Sequence, residues 1–155
     1  VYVLDEPSAG LHPADTQALL GALDELIASG NSVFVVEHDV SVIGHADWVV
    51  DVGPQAGTHG GEIVYSGPVE GLREVAQSHT GQYLFANDTA NHQSKSDTRQ
   101  PTAWLKLANI ERNNIIGLDV EFPLGVMTSV TGVSGSGKSS LISQALVELI
   151  SEVLG

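Results

Sequence analysis

A glycine-rich loop between a strand and a helix is the feature that most constrains the fold of this chain. The loop reads GVSGSGKS and fits the pattern G-x-x-x-x-G-K-[ST] in full. A β-branched run at 126–131 precedes it, and apolar residues at helical spacing follow it from 141 to 153. Strand, phosphate-binding loop and helix in this order predict an α/β fold with a mostly parallel sheet.

The residue types in the loop match the chemistry of phosphate binding. Glycines let the backbone approach phosphate groups closely, and successive N–H groups form an anion-binding nest. Lys138 can reach the β- and γ-phosphates of a nucleotide, and the Ser139 hydroxyl can ligate Mg²⁺. The predicted nucleotide-binding residues are Gly132, Val133, Ser134, Gly135, Ser136, Gly137, Lys138, Ser139 and Ser140.

Two adjacent carboxylates follow the apolar run at 1–4. Asp5 and Glu6 therefore lie at the carboxyl end of a predicted strand, where open α/β sheets bind ligands. An acid there can hold Mg²⁺, while its neighbour orients or deprotonates the attacking water. We predict Asp5 as a Mg²⁺ ligand and Glu6 as a catalytic residue. Taken alone, the pattern also fits a strand followed by a helix N-cap.

His38 follows a second apolar run, at 33–36, and is also placed at the carboxyl end of a strand. An imidazole there can hydrogen-bond a γ-phosphate, so His38 is a candidate catalytic residue; a solvated histidine between two acids is the alternative. The other five histidines show no metal-ligand spacing, and the chain has no cysteine. No zinc site is predicted in this chain.

Charge and composition divide the chain into three parts. Residues 1–85 contain twelve acidic residues and one basic residue, and they alternate short apolar runs with amphipathic stretches. Residues 86–103 are rich in Asn, Asp, Ser, Thr and Gln, which predicts a polar linker. Residues 104–155 open with two alternating strands, predicted to be antiparallel, before the loop. Further strands are predicted at 33–36, 48–52 and 62–66, a helix from Pro13, helical structure at 69–78 and irregular structure at 83–85.

Composition excludes some classes of function. Hydrophobic residues make up 42% of the chain, which is enough for a buried core, and no apolar run is long enough to span a membrane. The formal net charge is −13, so the chain lacks the basic stripe that gives affinity for a phosphate backbone. We predict neither a membrane protein nor an autonomous nucleic-acid binder.

The motifs together resemble the UvrA family of ABC-type ATPases, the damage-recognising component of the bacterial excinuclease. VYVLDEPSAGLH and VFVVEHD are similar to the second half of an ATP-binding cassette, and GVSGSGKS is similar to a Walker A motif. DVGPQAGTHGGEIVYSG, TGQYL and PLGVMTSVTGVSGSGKSSL are typical of the UvrA family. The resemblance implies ATP and Mg²⁺ as ligands, Asp5 and Glu6 as the Walker B acids, and His38 as the switch histidine. It also implies a D-loop formed by Ser8, Ala9, Gly10 and Leu11.

The motif order implies parts of two consecutive cassettes, because Walker A precedes Walker B within one cassette. Residues 1–85 would end the first cassette and residues 104–155 would begin the second. Asp5, Glu6 and His38 would then serve one nucleotide site, and Lys138 and Ser139 another. The sequence is compatible with two arrangements of these parts, either two docked lobes or one shared sheet. A shared sheet is expected to place the strand at 126–131 beside the strand at 1–4, with Lys138 near Asp5.

The resemblance also implies a function for the whole protein. UvrA-family members are cytoplasmic, dimeric ATPases that bind DNA, recognise damage in bacterial nucleotide excision repair and load a helicase/nuclease partner. Their zinc modules and most of their DNA-binding residues are expected outside this chain. No ABC signature motif occurs in this sequence, so the chain alone is expected to hydrolyse ATP negligibly. The alternatives are a UvrA-like drug-resistance ATPase, a tandem-cassette translation factor and a transport ATPase.

Overall fold

The structure is a computed structural model that describes residues 1–86 and 97–154. The predicted polar linker at 86–103 falls largely on residues that lie outside this described part. The fold class predicted from the sequence, an α/β fold with a mostly parallel sheet, is confirmed.

Seven strands form two sheets. In chain order they are β1 (Tyr2–Asp5), β2 (Val33–Val36), β3 (Trp48–Gly53), β4 (Glu62–Gly67), β5 (Ala103–Arg112), β6 (Ile115–Leu124) and β7 (Met127–Thr131). The central sheet has the order β1-β2-β7-β3-β4, in which only β4 runs antiparallel to its neighbour. β5 and β6 pair antiparallel in a sheet of their own.

Strands from both parts of the chain share the central sheet. β7 lies between β2 and β3, so that Phe34 pairs with Thr128 and Val50 pairs with Val130. The two parts therefore form one sheet. The expectation that the two motif-bearing strands, β1 and β7, are neighbours is wrong, because β2 lies between them. All residues of β2 are apolar and buried, as a strand flanked on both edges and covered on both faces requires.

The helices cover both faces of this sheet. They are α1 (Pro13–Ala28), α2 (Val40–His45), α3 (His79–Phe85) and α4 (Val147–Leu154), with 3₁₀ segments at Gly57–His59 and Val69–Glu74 and a π-helical segment at Ser140–Leu146. The prediction for 69–85 is partly wrong, because only a 3₁₀ segment lies at its start and a regular helix lies at its end. The Ser78 hydroxyl caps this helix by accepting a hydrogen bond from the Gly81 N–H.

Alternate residues of the central strands enter two apolar cores. Val33 and Val35 pack with α1 and α2 on one face of the sheet, whereas Phe34 and Val36 pack with the β5–β6 hairpin on the other. The Phe34 and Phe122 rings meet edge to face with their centroids 5.5 Å apart. The glycine loop follows β7, the middle strand of the sheet between these two cores. In the described ranges, 1–86 and 97–154, no helix has the length and apolar character needed to cross a membrane.

Candidate nucleotide-binding site

Three parallel strands end at the same edge of the sheet, and each is followed by predicted site residues. Glu6 follows β1, His38 lies just beyond β2, and Gly132 follows β7. The structure therefore brings the acidic pair, the histidine and the glycine loop to one edge. This carboxyl edge is where open α/β sheets bind ligands.

The loop adopts backbone conformations that its glycines make possible. Gly132 has a φ of +134°, and a Cβ atom there would lie 2.0 Å from the Val52 carbonyl oxygen. Gly137 has a φ of +114°, again a region that L side chains rarely adopt. Helical structure begins at Lys138, and the Leu141 N–H donates to the Gly137 carbonyl at 2.9 Å. The loop thus leads into a helix N-terminus, a place that favours anions.

Lys138 folds back over the start of its own loop. Its Nζ donates to the carbonyl oxygens of Gly132, at 2.8 Å, and Val133, at 3.1 Å. Burial lowers the pKa of the ammonium, and the nearby carboxylates of Glu6, Asp51 and Asp5 raise it only in part. The half-buried ammonium is able to donate to phosphate oxygens in place of these two carbonyl oxygens.

Glu6 and His38 form the exposed part of the site. The His38 Nδ1 atom lies 3.6 Å from the Glu6 Oε1 atom, and the two side chains are 71% and 52% exposed. Glu6 has a φ of +45°, which is uncommon for a residue other than glycine and is often found at functional sites. Its N–H donates to the Val36 carbonyl at 2.8 Å, which holds the strained backbone in place while the carboxylate faces solvent.

Glu37 is a buried carboxylate that no pattern in the sequence predicts. Its side chain is only 1% exposed. Oε1 accepts from the Ser8 N–H at 2.9 Å, and Oε2 accepts from the N–H groups of His38, at 3.1 Å, and Asp39, at 3.3 Å. Glu37 therefore fixes Ser8, the start of the predicted D-loop, beside the segment that carries His38. Ser8 is buried, whereas Ala9, Gly10 and Leu11 are exposed.

Asp51 is a second buried carboxylate without a sequence signal. It lies in β3 and accepts hydrogen bonds from the hydroxyls of Ser78, Thr80, at 3.1 Å, and Thr131, at 2.9 Å. Thr131 is the last residue before the glycine loop, and Ser78 caps α3. Asp51 therefore joins the start of the loop to the start of that helix.

A cleft of about 340 Å³ opens between these elements. Its walls are residues of three segments: Glu37, His38, Val40, Ile43, His79, Thr80, Tyr83, Gly132, Val133 and Ser134. The cleft reaches the glycine loop from the side of His38, so that a group bound at the loop is accessible from solvent there.

The candidate Mg²⁺ ligands, Asp5 and Ser139, both have exposed side chains at this edge. Within residues 1–86 and 97–154, no cluster of three or more His, Cys, Asp or Glu side chains is arranged to hold a metal ion. The donor set fits Mg²⁺, which usually takes one or two protein oxygens and completes its shell with phosphate oxygens and water.

Raising the pH is expected to weaken nucleotide binding, because the Lys138 ammonium loses its proton. Phosphate binds the protonated form, so affinity is highest below the pKa of the free chain and falls as the pH rises through it. That pKa lies below the ordinary value for lysine, so the fall begins earlier than for an exposed lysine. Calorimetric titration between about pH 7.5 and about pH 10 measures it; a constant Kd over this range would contradict the prediction.

A mostly parallel sheet that carries a phosphate-binding loop, an acidic pair and a histidine at its carboxyl edge defines a class, the P-loop ATPases of the ABC type. No protein-family model matches the sequence. The chain is 66% identical over 155 residues to UvrABC system protein A of Paucimonas lemoignei, 47% over 154 residues to that of Mycobacterium tuberculosis and 47% over 146 residues to that of Escherichia coli K12. The chain belongs to the UvrA family.

The relatives are much longer than this chain. The alignments cover 100%, 99% and 94% of the chain but only 22%, 16% and 16% of those three relatives. The crystal structure of UvrA2 from Deinococcus radiodurans is 63% identical, with a TM-score of 0.54, and the match covers all of this chain and 19% of that one. The chain thus corresponds to about a fifth of a UvrA-family protein.

Proposed function

We propose that this chain supplies phosphate-binding and catalytic residues for ATP hydrolysis in a UvrA-family protein of nucleotide excision repair. The observation that carries the proposal is the complete loop GVSGSGKS, with Lys138 inside it, at the same sheet edge as Glu6 and His38. The loop is typical of nucleoside triphosphate binding. The relatives named UvrABC system protein A provide the excision-repair context.

Each candidate residue has a role that follows from its position. The loop N–H groups and the Lys138 ammonium bind the β- and γ-phosphates of ATP. The Ser139 hydroxyl and the Asp5 carboxylate would each hold the Mg²⁺ of the nucleotide site to which it belongs, and this ion when bound offsets the negative charge of the phosphates. Glu6 orients and deprotonates the attacking water, and His38 hydrogen-bonds the γ-phosphate.

We further propose that residues 1–85 end one cassette and residues 104–155 begin the next, because Walker B precedes Walker A in this chain. In the longer protein, Asp5, Glu6 and His38 would then act at one ATP site, and Lys138 and Ser139 at the other. The D-loop that starts at Ser8 would connect them. The chain alone would bind ATP with negligible turnover, since the sequence contains no signature motif.

The remaining features of the proposal rest on the family. DNA, a second copy of the protein and a helicase/nuclease partner would bind mostly through regions beyond those described here. The net charge of −13 supports this view, because an acidic surface does not attract a phosphate backbone. We propose a cytoplasmic protein, with zinc only in other parts of the longer chain.

Glu6→Gln is expected to lower the rate of ATP hydrolysis about 100-fold or more at the one site that Glu6 serves, while ATP binding there is retained. Glutamine keeps the shape and hydrogen-bonding capacity of the side chain but cannot accept a proton from water, and general base catalysis contributes about 10²–10⁴-fold. Steady-state turnover and ATP affinity are measured in a full-length UvrA-family protein that carries this segment, where the variant should lose the share of turnover that belongs to this site.

The control for this variant is Glu25→Gln, which makes the same charge change on the exposed face of α1. It should leave turnover unchanged. Glu6→Gln with turnover equal to that of Glu25→Gln would refute the assignment of Glu6 as the base.

A further inference from the structure

Two segments outside the glycine loop hold its carbonyl groups. The Gly135 carbonyl accepts from the Gly57 N–H at 3.0 Å and from the Asn114 amide at 3.3 Å. The Ser136 carbonyl accepts from the Gly61 N–H at 2.8 Å and from the same amide at 3.1 Å. Consecutive peptide groups of the loop are therefore both fixed from outside.

Asn114 joins these segments. It lies in the turn between β5 and β6, and its Nδ2 atom lies 3.0 Å from the Gly57 carbonyl oxygen in addition to the two loop carbonyls, so that one of its two hydrogens is shared between acceptors. One half-buried amide thus contacts three carbonyl oxygens from two segments. Its Oδ1 atom also lies close to the loop, since a Cβ atom on Gly137 would be 3.1 Å from it.

The glycines of the segment between β3 and β4 allow this close packing. A Cβ atom on Gly61 would lie 2.2 Å from the Asn114 carbonyl oxygen, and one on Gly60 would lie 2.8 Å from the Ser136 carbonyl oxygen. No larger residue fits at either position without moving backbone atoms. This contact explains why glycines occupy positions 60 and 61 of the sequence DVGPQAGTHGGE.

Because the peptide group is planar, these contacts also fix the directions of the loop N–H groups, which form the phosphate-binding face. In a trans peptide, the carbonyl of one residue and the N–H of the next point in opposite directions. When the carbonyls of Gly135 and Ser136 point toward Asn114, the N–H groups of Ser136 and Gly137 must point into the loop. The Ser136 N–H does so and donates to the Val133 carbonyl at 3.1 Å, the same oxygen that Lys138 contacts, so a bound phosphate would replace this carbonyl as the acceptor.

We propose that Asn114, together with Gly57 and Gly61, is a positioning residue that holds the loop in its anion-binding shape before the nucleotide arrives. Such preorganisation strengthens binding because the loop need not be ordered at the moment of association. The inference rests on the proposed function, since the anion is the phosphate of a nucleotide. The inference assigns a role to three residues that contact the loop and do not touch the nucleotide.

Asn114→Ala is expected to weaken MgATP binding by this chain about tenfold, the equivalent of roughly one net hydrogen bond. Asn114→Asp should weaken it further, because a carboxylate has no donor and faces the loop carbonyls. The matched control is Asn31→Ala, which removes an equally half-buried amide that donates to the Leu26 carbonyl at 3.0 Å, away from the loop. It should lower Tm comparably and leave the calorimetric Kd unchanged.

Amide hydrogen exchange without nucleotide provides a second readout. The Ser136 and Gly137 N–H groups should exchange faster in Asn114→Ala than in the unmodified chain, and at the unmodified rate in Asn31→Ala. Unchanged exchange in Asn114→Ala, or an equal loss of affinity in both alanine variants, overturns the positioning role. Failure of the unmodified chain to bind MgATP counts against the proposed function, and the exchange rates then still decide the role of Asn114.

Discussion

Lys138→Ala is expected to lower the affinity of the loop for ATP about 100-fold or more. Hydrogen bonds to charged groups contribute about 1.5–3 kcal/mol each, and a tenfold change in Kd corresponds to about 1.4 kcal/mol. The ammonium contacts two loop carbonyls at 2.8 and 3.1 Å in the structure, so it is placed to contact two phosphate oxygens in their stead. Alanine removes this cation from a half-buried position, where water replaces its interaction with the phosphates poorly.

The control for this change is Lys106→Ala. Lys106 lies on β5 and pairs with Glu121 at 2.6 Å in an exposed position, so its loss changes the net charge equally without touching the loop. Calorimetry should show unchanged ATP affinity for Lys106→Ala. In a full-length UvrA-family protein, Lys138→Ala should abolish binding at one of two sites; loss at both sites would contradict the proposed division of residues between cassettes.

The elements that the sequence predicts well are those that local patterns determine. The glycine loop is recognised because each residue type is needed for phosphate chemistry, and the strand before it and the helix after it follow from their periodicity. The helix α1 begins at Pro13, whose missing N–H costs nothing in a first turn. The run at 33–36 predicts a strand buried on both faces, and β2 is buried throughout.

The features that the sequence does not reveal depend on contacts between distant residues. Glu37 is 29 positions from Ser8, and Asp51 is 80 positions from Thr131, so no local pattern distinguishes these buried carboxylates from exposed ones. The neighbours of β7 are also undetermined by sequence, because an apolar strand pairs with any parallel strand that buries its faces. Asn114 gives no signal, since its role requires three loops to meet.

A third buried carboxylate, Asp47, connects the two parts of the chain. Its side chain is 1% exposed, and its Oδ2 atom accepts from the Met127 N–H at the start of β7 at 2.9 Å. The Oδ1 atom accepts from the Arg99 N–H at 3.1 Å, and the Arg99 guanidinium lies 3.4 Å from Oδ2. Asp47 therefore ties β3 both to the strand that leads into the glycine loop and to the segment that precedes β5.

Asp47→Ala is expected to lower the free energy of unfolding by about 1–3 kcal/mol, because the buried Met127 N–H loses its acceptor, whereas Arg99 keeps its ion pair with Asp24 at 2.9 Å. Asp47→Asn, which keeps an acceptor but not the charge, should have a smaller effect. Denaturant unfolding of the chain measures both. Glu121→Ala serves as the control, since Glu121 is half exposed and its pairing with Lys106 is accessible to solvent; its unfolding midpoint should not change measurably. An Asp47→Ala midpoint equal to that of Glu121→Ala would show that the sheet is held together without this carboxylate.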